Sequence, residues 1–264
     1  MNLFTRLVWL LILFTSCKKF IQYHPDEIRP AEENLNSRNI QLINNLRVKD
    51  TFSFILISDT QRFYDELEAF TAHVNTLAGI SFVLLNGDIT DFGLNREYNL
   101  IAARLKKLQV PYIASIGNHD MLANGRPIFN IMFGPENFSF NYGSNKFIIL
   151  NANSREVGFD GTLPDMSWLT HETLDAGNYR NIFFMSHVPP FSVDFDRNLE
   201  TEYASLVSST TNSRISMHGH EHNFSYGAHY NDGFPYLVAG TIRERNYVLI
   251  TVRGKQVNIE QKYF

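Results

Sequence analysis

The chain has 264 residues, 44% of them hydrophobic, with a formal net charge of −4 and a pI near 6.1. This length allows one domain with a sizeable core, since α/β domains of about 200–250 residues are common. The acidic balance argues against electrostatic binding of DNA or RNA as the main role. The 22 Phe and 12 Tyr residues favour a packed core over disorder.

The first residues have the pattern of an export signal. Arg6 supplies a positive charge, and the apolar run from Leu7 to Phe14 is too short for a membrane-spanning helix, which needs about 20 residues. The run ends in Phe14-Thr15-Ser16-Cys17, which resembles a bacterial lipobox, although Phe stands where Leu is usual. Residues 1–17 are therefore predicted to be a lipoprotein signal peptide. A plain signal peptide with an incidental cysteine is the alternative.

The lipobox resemblance implies an exported protein held on a membrane of the bacterial cell envelope. Cys17 is the only cysteine, and acylation would account for a thiol that has no disulfide partner. Each buried CH₂ of an acyl chain contributes roughly 0.8 kcal/mol, so several chains hold firmly. Residues 18–50 are polar and contain two prolines, which predicts a tether with a helix around residues 31–46.

From residue 51 onward the pattern changes to alternating strands and helices. Residues 52–57, 82–85 and 111–116 are apolar runs of strand length. Between them, residues 63–77 and 100–108 carry apolar side chains at helical spacing. This β-α-β-α-β order predicts a largely parallel sheet covered by helices.

The later half of the chain has more strand patterns, one predicted helix near residues 168–174, and polar loops. The predicted strands are residues 147–150, 182–185, 215–217, 236–238 and 247–252. We predict an α/β fold in which two packed mixed β-sheets are flanked by helices, an α/β/β/α sandwich spanning residues 51–264. The polar stretch 192–213 is predicted to be a long connection that forms a rim or lid.

Five short polar signatures follow apolar runs. They are Asp59-Thr60-Gln61, Gly87-Asp88-Ile89-Thr90-Asp91, Gly117-Asn118-His119-Asp120, Ser186-His187 and Gly219-His220-Glu221-His222. Ligands of parallel sheets bind beyond the carboxyl ends of the strands, which is where Asp59, Asp88 and Asn118 fall. The carboxylates, amides and imidazoles suit two adjacent metal ions that activate water against phosphorus, with one further histidine for proton transfer.

Taken together, these signatures resemble those of the calcineurin-like metallophosphoesterase family, over roughly residues 51–264. The Gly-Asn-His-Asp and Gly-His-x-His signatures are the most specific. The resemblance implies metal-dependent hydrolysis of a small-molecule phosphoester, with two divalent ions drawn from Mn, Fe, Zn or Mg. It implies a first metal held by Asp59, Gln61, Asp88 and His222, and a second held by Asp88, Asn118, His187 and His220. Asp88 would bridge the two ions.

The resemblance also assigns residues that act beside the metals. His119 would be the general acid that protonates the leaving group, a role typically worth about 10²–10⁴ in rate. Asp120 would orient the His119 ring and raise its basicity. Independently of the resemblance, Asp91 is predicted either to hydrogen-bond a metal ligand or to cap a helix, and His218 either to support a ligand or to pack in the core, with neither touching a metal.

One signature departs from the family pattern. The family usually has Asp-x-His first, and here the sequence is Asp59-Thr60-Gln61. The Gln61 carbonyl is a harder and usually weaker donor than imidazole. It predicts a first site that binds metal less tightly or favours Mn²⁺ or Mg²⁺ over Zn²⁺. The other possibility is that Gln61 binds nothing and the isolated enzyme holds one metal.

The sequence does not identify the substrate or the exact reaction, because one fold serves many substrates. Monoesters and diesters are both compatible. A pyrophosphatase for nucleotide-sugar or lipid-linked diphosphates is an alternative, with a second phosphate site from residues 191–213. A non-catalytic surface lipoprotein is another. Arginine forms paired bonds to phosphate, and the sequence does not choose among the candidates Arg62, Arg126, Arg243 and Arg245.

Overall fold

The computed structural model describes His24 and residues 27–264. The predicted signal peptide, the lipidation site Cys17 and the first part of the predicted tether lie outside these residues. None of the helices in the described part of the chain combines the length and apolarity needed to cross a membrane.

The first sheet carries the first three signatures. Its parallel strands are β1 (Thr51–Ile57), β2 (Ile80–Asn86) and β3 (Tyr112–Ser115), and β10 (Asn246–Arg253) and β11 (Gln256–Tyr263) complete it. The order is β11-β10-β1-β2-β3, with β10 antiparallel to both neighbours. The parallel strands therefore end at one edge, as the β-α-β-α-β pattern predicts.

Three helices cover the outer face of this sheet: α2 (Tyr64–Val74), α3 (Asn95–Leu105) and α4 (Gly125–Met132). Each turns an apolar stripe inward, and Phe70 and Ile101 are fully buried in the shared core. The packing leaves the carboxyl ends of the strands uncovered for the polar loops.

Helix α1 (Leu35–Asn44) lies within the segment predicted to be a tether, but it packs against the edge strand β3. The Asn36 amide donates to the Ala114 carbonyl and accepts from the Ala114 N–H, both at 2.8 Å. The Asn39 amide accepts from the Tyr112 N–H at 3.1 Å. These bonds occupy backbone groups that an open sheet edge would leave unpaired. The folded unit therefore begins before residue 51.

The second sheet has the order β4-β5-β6-β7-β9-β8. Strands β5, β6, β7 and β9 are parallel, and β4 and β8 are antiparallel edges. The six strands are β4 (Phe138–Tyr142), β5 (Asn145–Ile149), β6 (Asn181–Met185), β7 (Ser213–His218), β8 (Ser225–Ala228) and β9 (Pro235–Val238).

Aromatic side chains join the two sheets. The Phe54 ring of β1 meets the rings of Phe147 and Phe183 of the second sheet edge-on, with centroids 5.4 and 5.8 Å apart. Such edge-to-face pairs add about 0.5–1.5 kcal/mol beyond burial. The outer face of the second sheet packs against the helices α5 (Met166–Thr173) and α6 (Arg197–Ser209). The predicted sandwich of two mixed sheets between helices is confirmed.

The stretch 192–213 is not the predicted irregular connection, because most of it is helix α6. Asp196 caps the helix by accepting from the Asn198 N–H at 2.9 Å. Tyr203 is fully buried, and its hydroxyl lies 2.9 Å from the Ser216 hydroxyl of β7. The apolar stripe of this helix is interrupted by serine, threonine and glutamate, so the sequence pattern did not indicate a helix.

Candidate metal centre

The predicted ligands converge at the carboxyl ends of strands from both sheets. One group follows β1, β2 and β3, which are neighbours, and the other follows β6 and β7. Short contacts join the two groups, since Nε2 of His187 lies 3.3 Å from Oδ1 of Asp88. Likewise, Nε2 of His222 lies 3.2 Å from Oδ1 of Asp59. The two sheets therefore share one polar centre.

The innermost part of this centre consists of Asp59, Asp88 and His187. All three are buried, and one ligand atom from each lies within 4.8 Å of the others. Oδ1 of Asp59 and Nε2 of His187 make no hydrogen bond within the described part of the chain, in spite of their short contacts. Buried polar atoms normally have a hydrogen-bond partner. A bound cation would give these two atoms the partner that the described residues do not provide.

Gln61 is also buried in the centre. Its Nε2 lies 3.4 Å from Oδ2 of Asp88, and its Oε1 has no hydrogen-bond partner among the described residues. The amide oxygen of Gln61 is thus a further buried acceptor that a cation would satisfy. The donor set of carboxylates, amides and imidazoles fits divalent metal ions.

Two of the histidines are held by the ring nitrogen that points away from the centre. Nδ1 of His187 lies 2.8 Å from the Asn86 carbonyl, which leaves Nε2 directed at Asp88. For His220, Nε2 lies 3.1 Å from Oδ2 of Asp194 and Nδ1 lies 3.0 Å from Oδ1 of Asn118. Metal-binding histidines are typically fixed in this way, through the nitrogen that does not bind metal.

Burial and opposite charges act together on the ionisable groups of this centre. Burial is the largest single effect and lowers the pKa of His187, but Asp88, Asp59 and the Asn86 carbonyl together raise the pKa to about 10. Burial is the largest single effect and raises the pKa of Asp88, but the interactions with His187 and His119 together lower it. The pKa of His220 is lowered, chiefly by burial, whereas contact with Asp59 raises the pKa of His222.

The backbone at the ligands adopts the left-handed region, which is uncommon for residues other than glycine. The φ angles are 56° at Asp59, 50° at Asp88, 68° at His220 and 59° at His222. Such conformations cost of order 1–3 kcal/mol each and cluster at functional sites. Gly87 also has a positive φ of 72°, and a Cβ there would lie 2.6 Å from the His187 ring.

His119 lies beside the ligands rather than among them. Its main-chain N–H donates to Oδ1 of Asp88 at 3.0 Å, and its side chain is 35% exposed. The ring Nδ1 lies 2.7 Å from the Asp91 carbonyl and 3.7 Å from Oδ1 of Asp91. The Asp91 carboxylate in turn bonds the Arg62 guanidinium. Asp91 is therefore the residue that holds the His119 ring.

Asp120 does not take its predicted position beside that ring, because adjacent residues in the turn point in different directions. Its buried carboxylate accepts from the N–H groups of Gly117, Ile89 and Thr90 and from the Thr90 hydroxyl, at 2.8–3.1 Å. Burial, followed by the Asp88 charge, raises the pKa of Asp120 to about 6. Asp120 thus ties together the two loops that carry Asp88 and His119.

His218 is buried behind the ligands. Its Nδ1 lies 3.1 Å from the carbonyl and 3.2 Å from the hydroxyl of Ser186, the residue before His187. Burial lowers the pKa of His218 to about 3, so the ring is neutral. This contact supports the turn that carries His187.

Two open clefts share Asn223, and the first of them opens onto the centre. The first, here called the arginine cleft, has a volume of about 470 Å³ and is lined by Gln61, Arg62, Phe63, His119, His222, Asn223, Thr241, Arg243 and Glu244. The second, here called the valine cleft, has a volume of about 380 Å³ and is lined by Phe191, Ser192, Val193, Glu221, Asn223, Ser225 and Val238.

Sequence reasoning missed some of the residues around the centre. Asp194 belongs to no signature, and it reaches His220 only because the loop before α6 folds over the centre. Of the four candidate arginines, Arg62 and Arg243 line the arginine cleft. Arg126 instead forms a two-bond pair with Glu136.

The chain is similar to two curated phosphodiesterases. It is 25% identical over 181 residues to a 3',5'-cyclic-nucleotide phosphodiesterase of Nostoc sp., covering 64% of this chain and 68% of that protein. It is 28% identical over 130 residues to a protein of Arcobacter nitrofigilis named "Probable glycerophosphodiester phosphodiesterase GpdQ". That match covers 44% of this chain and 45% of the relative, so the chain matches less than half of that protein's length.

Solved structures share the fold. A dimetal phosphatase from Danio rerio aligns with a TM-score of 0.63 and 14% identity, over 81% of this chain and 99% of that chain. A purple acid phosphatase from yellow lupin seeds aligns with a TM-score of 0.63 and 13% identity, over 82% of this chain and 52% of that chain. At these identities the likeness concerns the fold alone.

The part of the chain that matches a known family includes all five signatures of the metal centre. Residues 52–224 match the model of the calcineurin-like phosphoesterase family, which is more than half of the chain. All five signatures lie inside this range. The chain therefore belongs to the calcineurin-like phosphoesterase family and is a phosphoester hydrolase, as its signatures predict.

Proposed function

We propose that this protein hydrolyses small-molecule phosphodiesters with two divalent metal ions at the centre described above. The observation that carries the proposal is the buried cluster of Asp59, Asp88 and His187, in which Oδ1 of Asp59 and Nε2 of His187 lack hydrogen bonds. An unpaired buried polar atom costs on the order of 1–3 kcal/mol, so the cluster is a poor structural feature unless it binds a cation.

Two overlapping ligand sets are proposed. When bound, the ions would lower the pKa of water and neutralise charge on the phosphate oxygens. The oxygen ligand Gln61 favours Mn²⁺ or Mg²⁺ at the first site, and the imidazoles suit Zn, Fe or Mn at the second. The first set is Asp59, Gln61, Asp88 and His222, and the second is Asp88, Asn118, His187 and His220.

His119 is the proposed general acid. Its ring is fixed at Nδ1 by the Asp91 carbonyl, so Nε2 is the nitrogen that exchanges the proton. A water oxygen bonds to phosphorus, the bond from phosphorus to the leaving oxygen breaks, and that oxygen takes the Nε2 proton of His119. The proton lost by the water passes to solvent. Because His119 lines the arginine cleft, the leaving group would sit in that cleft.

Two observations favour diesters over monoesters. The first is that both curated relatives are named as phosphodiesterases. The second is the pair of clefts that share Asn223, since a diester has two arms and a monoester has one. An intact proton donor beside the centre speaks against a non-catalytic binding protein.

Export and lipid anchoring at Cys17 are part of the proposal, and they rest on the lipobox resemblance alone. Mass spectrometry of the N-terminal peptide from membranes tests them. Acyl chains on Cys17, absent from the Cys17→Ser variant, would support the anchor, and an unmodified thiol would contradict it.

A metal-dependent assay of the full chain tests the hydrolase. Chelated protein is reloaded with Mn²⁺, Fe²⁺, Zn²⁺ or Mg²⁺, analysed for bound metal, and assayed with bis(p-nitrophenyl) phosphate and p-nitrophenyl phosphate. We expect two ions per chain, diester hydrolysis above monoester hydrolysis, and loss of both metal and activity in His187→Ala. The exposed His171→Ala variant serves as the matched control. Activity that survives full chelation would contradict the proposal.

A further inference from the structure

The arginine cleft places two guanidinium groups next to the proposed acid His119. Arg62 and Arg243 are far apart in the sequence, but they line the same cleft. Arginine is suited to carboxylate and phosphate groups, because its planar fork forms two parallel hydrogen bonds to them. Neither arginine belongs to the metal signatures, so the hydrolytic step itself does not account for them.

Arg62 is held in a fixed relation to the acid. Its guanidinium bonds the Asp91 carboxylate, and the Asp91 carbonyl holds the His119 ring. The side chain is 60% exposed, and within the described residues this pair uses one of its five N–H donors. Arg62 therefore presents further donors to the cleft from a position tied to His119.

Arg243 is the more available cation. Its Nε lies 3.7 Å from the Glu244 carboxylate, with the two side chains 69% and 64% exposed. Exposed pairs at this separation contribute little and rearrange readily. The turn that carries Arg243 is fixed by the Thr241 hydroxyl, which accepts the Arg243 main-chain N–H at 3.3 Å. Arg243 can thus turn toward a ligand from a well-defined backbone.

The valine cleft has no such positive charge in its described lining. Among the described residues, the lining of the valine cleft includes no basic side chain, and Glu221 adds negative charge. The second phosphate site that the sequence suggested for residues 191–213 is therefore better supplied by the arginine cleft. The two clefts therefore differ in charge, since in the part of the chain that the structure describes basic side chains line only the arginine cleft.

We propose that the arginine cleft binds a second anionic group on the leaving arm of the substrate. The substrate class is then a phosphodiester or diphosphate whose leaving group carries a phosphate or carboxylate. This inference rests on the proposed function, because it uses His119 to identify the leaving side. Arg243 is assigned as the main contact and Arg62 as the positioning cation.

A matched series of esters tests the proposal on the full metal-loaded chain. Three methyl aryl phosphates carry a para carbamoyl, carboxylate or phosphonate group on the leaving phenol, and products are followed by chromatography. The ratio of kcat/KM for each charged ester to the neutral ester is measured in wild type, Arg243→Gln and Arg245→Gln. Arg245 is exposed and outside the cleft lining, which makes it the matched control. Comparing ratios between variants cancels the intrinsic reactivity of each ester.

We expect the charged-to-neutral ratio to fall about 5- to 10-fold in Arg243→Gln, mainly through KM, and to stay constant in Arg245→Gln. A larger effect with the phosphonate than with the carboxylate identifies phosphate as the group recognised, and the reverse identifies carboxylate. An unchanged ratio in Arg243→Gln overturns the cleft assignment while diester hydrolysis stands.

Direct binding keeps the proposal testable if the esters are not hydrolysed. Absence of metal-dependent turnover would overturn the proposed function. Calorimetric titration with the same three esters then tests, without any turnover, whether the arginine cleft binds the anionic group. Tighter binding of the charged esters in wild type that is lost in Arg243→Gln supports it, and equal binding of all three overturns it.

Discussion

Nε2 of His220 lies 3.1 Å from Oδ2 of Asp194, and the opposite ring nitrogen lies 3.0 Å from Oδ1 of Asn118. Arg155 holds the second oxygen of Asp194 at 3.0 Å. A carboxylate on the outer nitrogen of a metal-binding histidine fixes the ring and strengthens it as a ligand. We therefore infer that Asp194 positions the His220 ring for the second proposed metal.

Replacement of Asp194 by asparagine should weaken metal binding. We expect Asp194→Asn to lower affinity at the second site by about 10- to 100-fold, because a neutral amide supports the His220 ring less than a carboxylate does. Chelator competition on the full chain measures this without an activity assay. Asp65→Asn, an exposed change on α2, is the control. Equal affinities in all three proteins would contradict the role given to Asp194.

Removal of His119 should slow turnover without loss of metal. We expect His119→Ala to lower kcat by about 10²–10⁴ with alkyl leaving groups, which need a proton to depart. The loss should be much smaller with p-nitrophenol, which leaves as an anion. Metal content is measured in parallel and should be unchanged. A uniform loss across leaving groups would rule out general acid catalysis by His119.

Gln61→His should restore the usual family pattern at the first site. The Gln61 amide is buried against Asp88, so an imidazole there would add a nitrogen ligand in place of a weaker oxygen ligand. We expect tighter binding of the first metal and a shift of preference from Mn²⁺ toward Zn²⁺, measured as metal per chain during stepwise dialysis. Equal stoichiometry and affinity in both proteins would defeat the weakened-site hypothesis.

Glu136 should make stability depend on pH. Its half-buried carboxylate accepts bonds from Arg126, Asn130 and Asn151 at 2.7–3.0 Å. Burial raises its pKa, but these partners outweigh burial, so the pKa in the folded chain is below the ordinary value of 4.5. The stabilisation is therefore present above the unfolded pKa and is lost as pH falls through the folded one.

We expect Glu136→Gln to reduce the free energy of unfolding by about 1–2 kcal/mol at neutral pH, with the difference shrinking as the pH falls through the lowered pKa of Glu136. Urea denaturation at several pH values measures it. Glu202→Gln, an exposed change on α6, should show no such trend. A difference that is the same at every pH would mean that the charge on Glu136 is not what stabilises the fold.

Much of the fold and centre could be predicted because their signals are local. An apolar run that ends in a polar signature marks a strand and its carboxyl end within about ten residues. The alternation of strands and helices then brings Asp59, Asp88 and Asn118 to one edge. The edge strands β4, β8 and β11 and the helices α4 and α6 lack so clear a pattern, and they were not predicted.

The sequence by itself thus determined the family, the sandwich of two sheets and the candidate metal ligands, since each depends on short patterns in a given order. Only the tertiary structure decided that Asp91 rather than Asp120 holds the His119 ring, that Asp194 supports His220, and that two arginines share one cleft. These relationships join residues far apart in the chain, and side-chain direction at a turn decides them. Neither spacing nor composition encodes that direction in a form that can be read before the chain is folded.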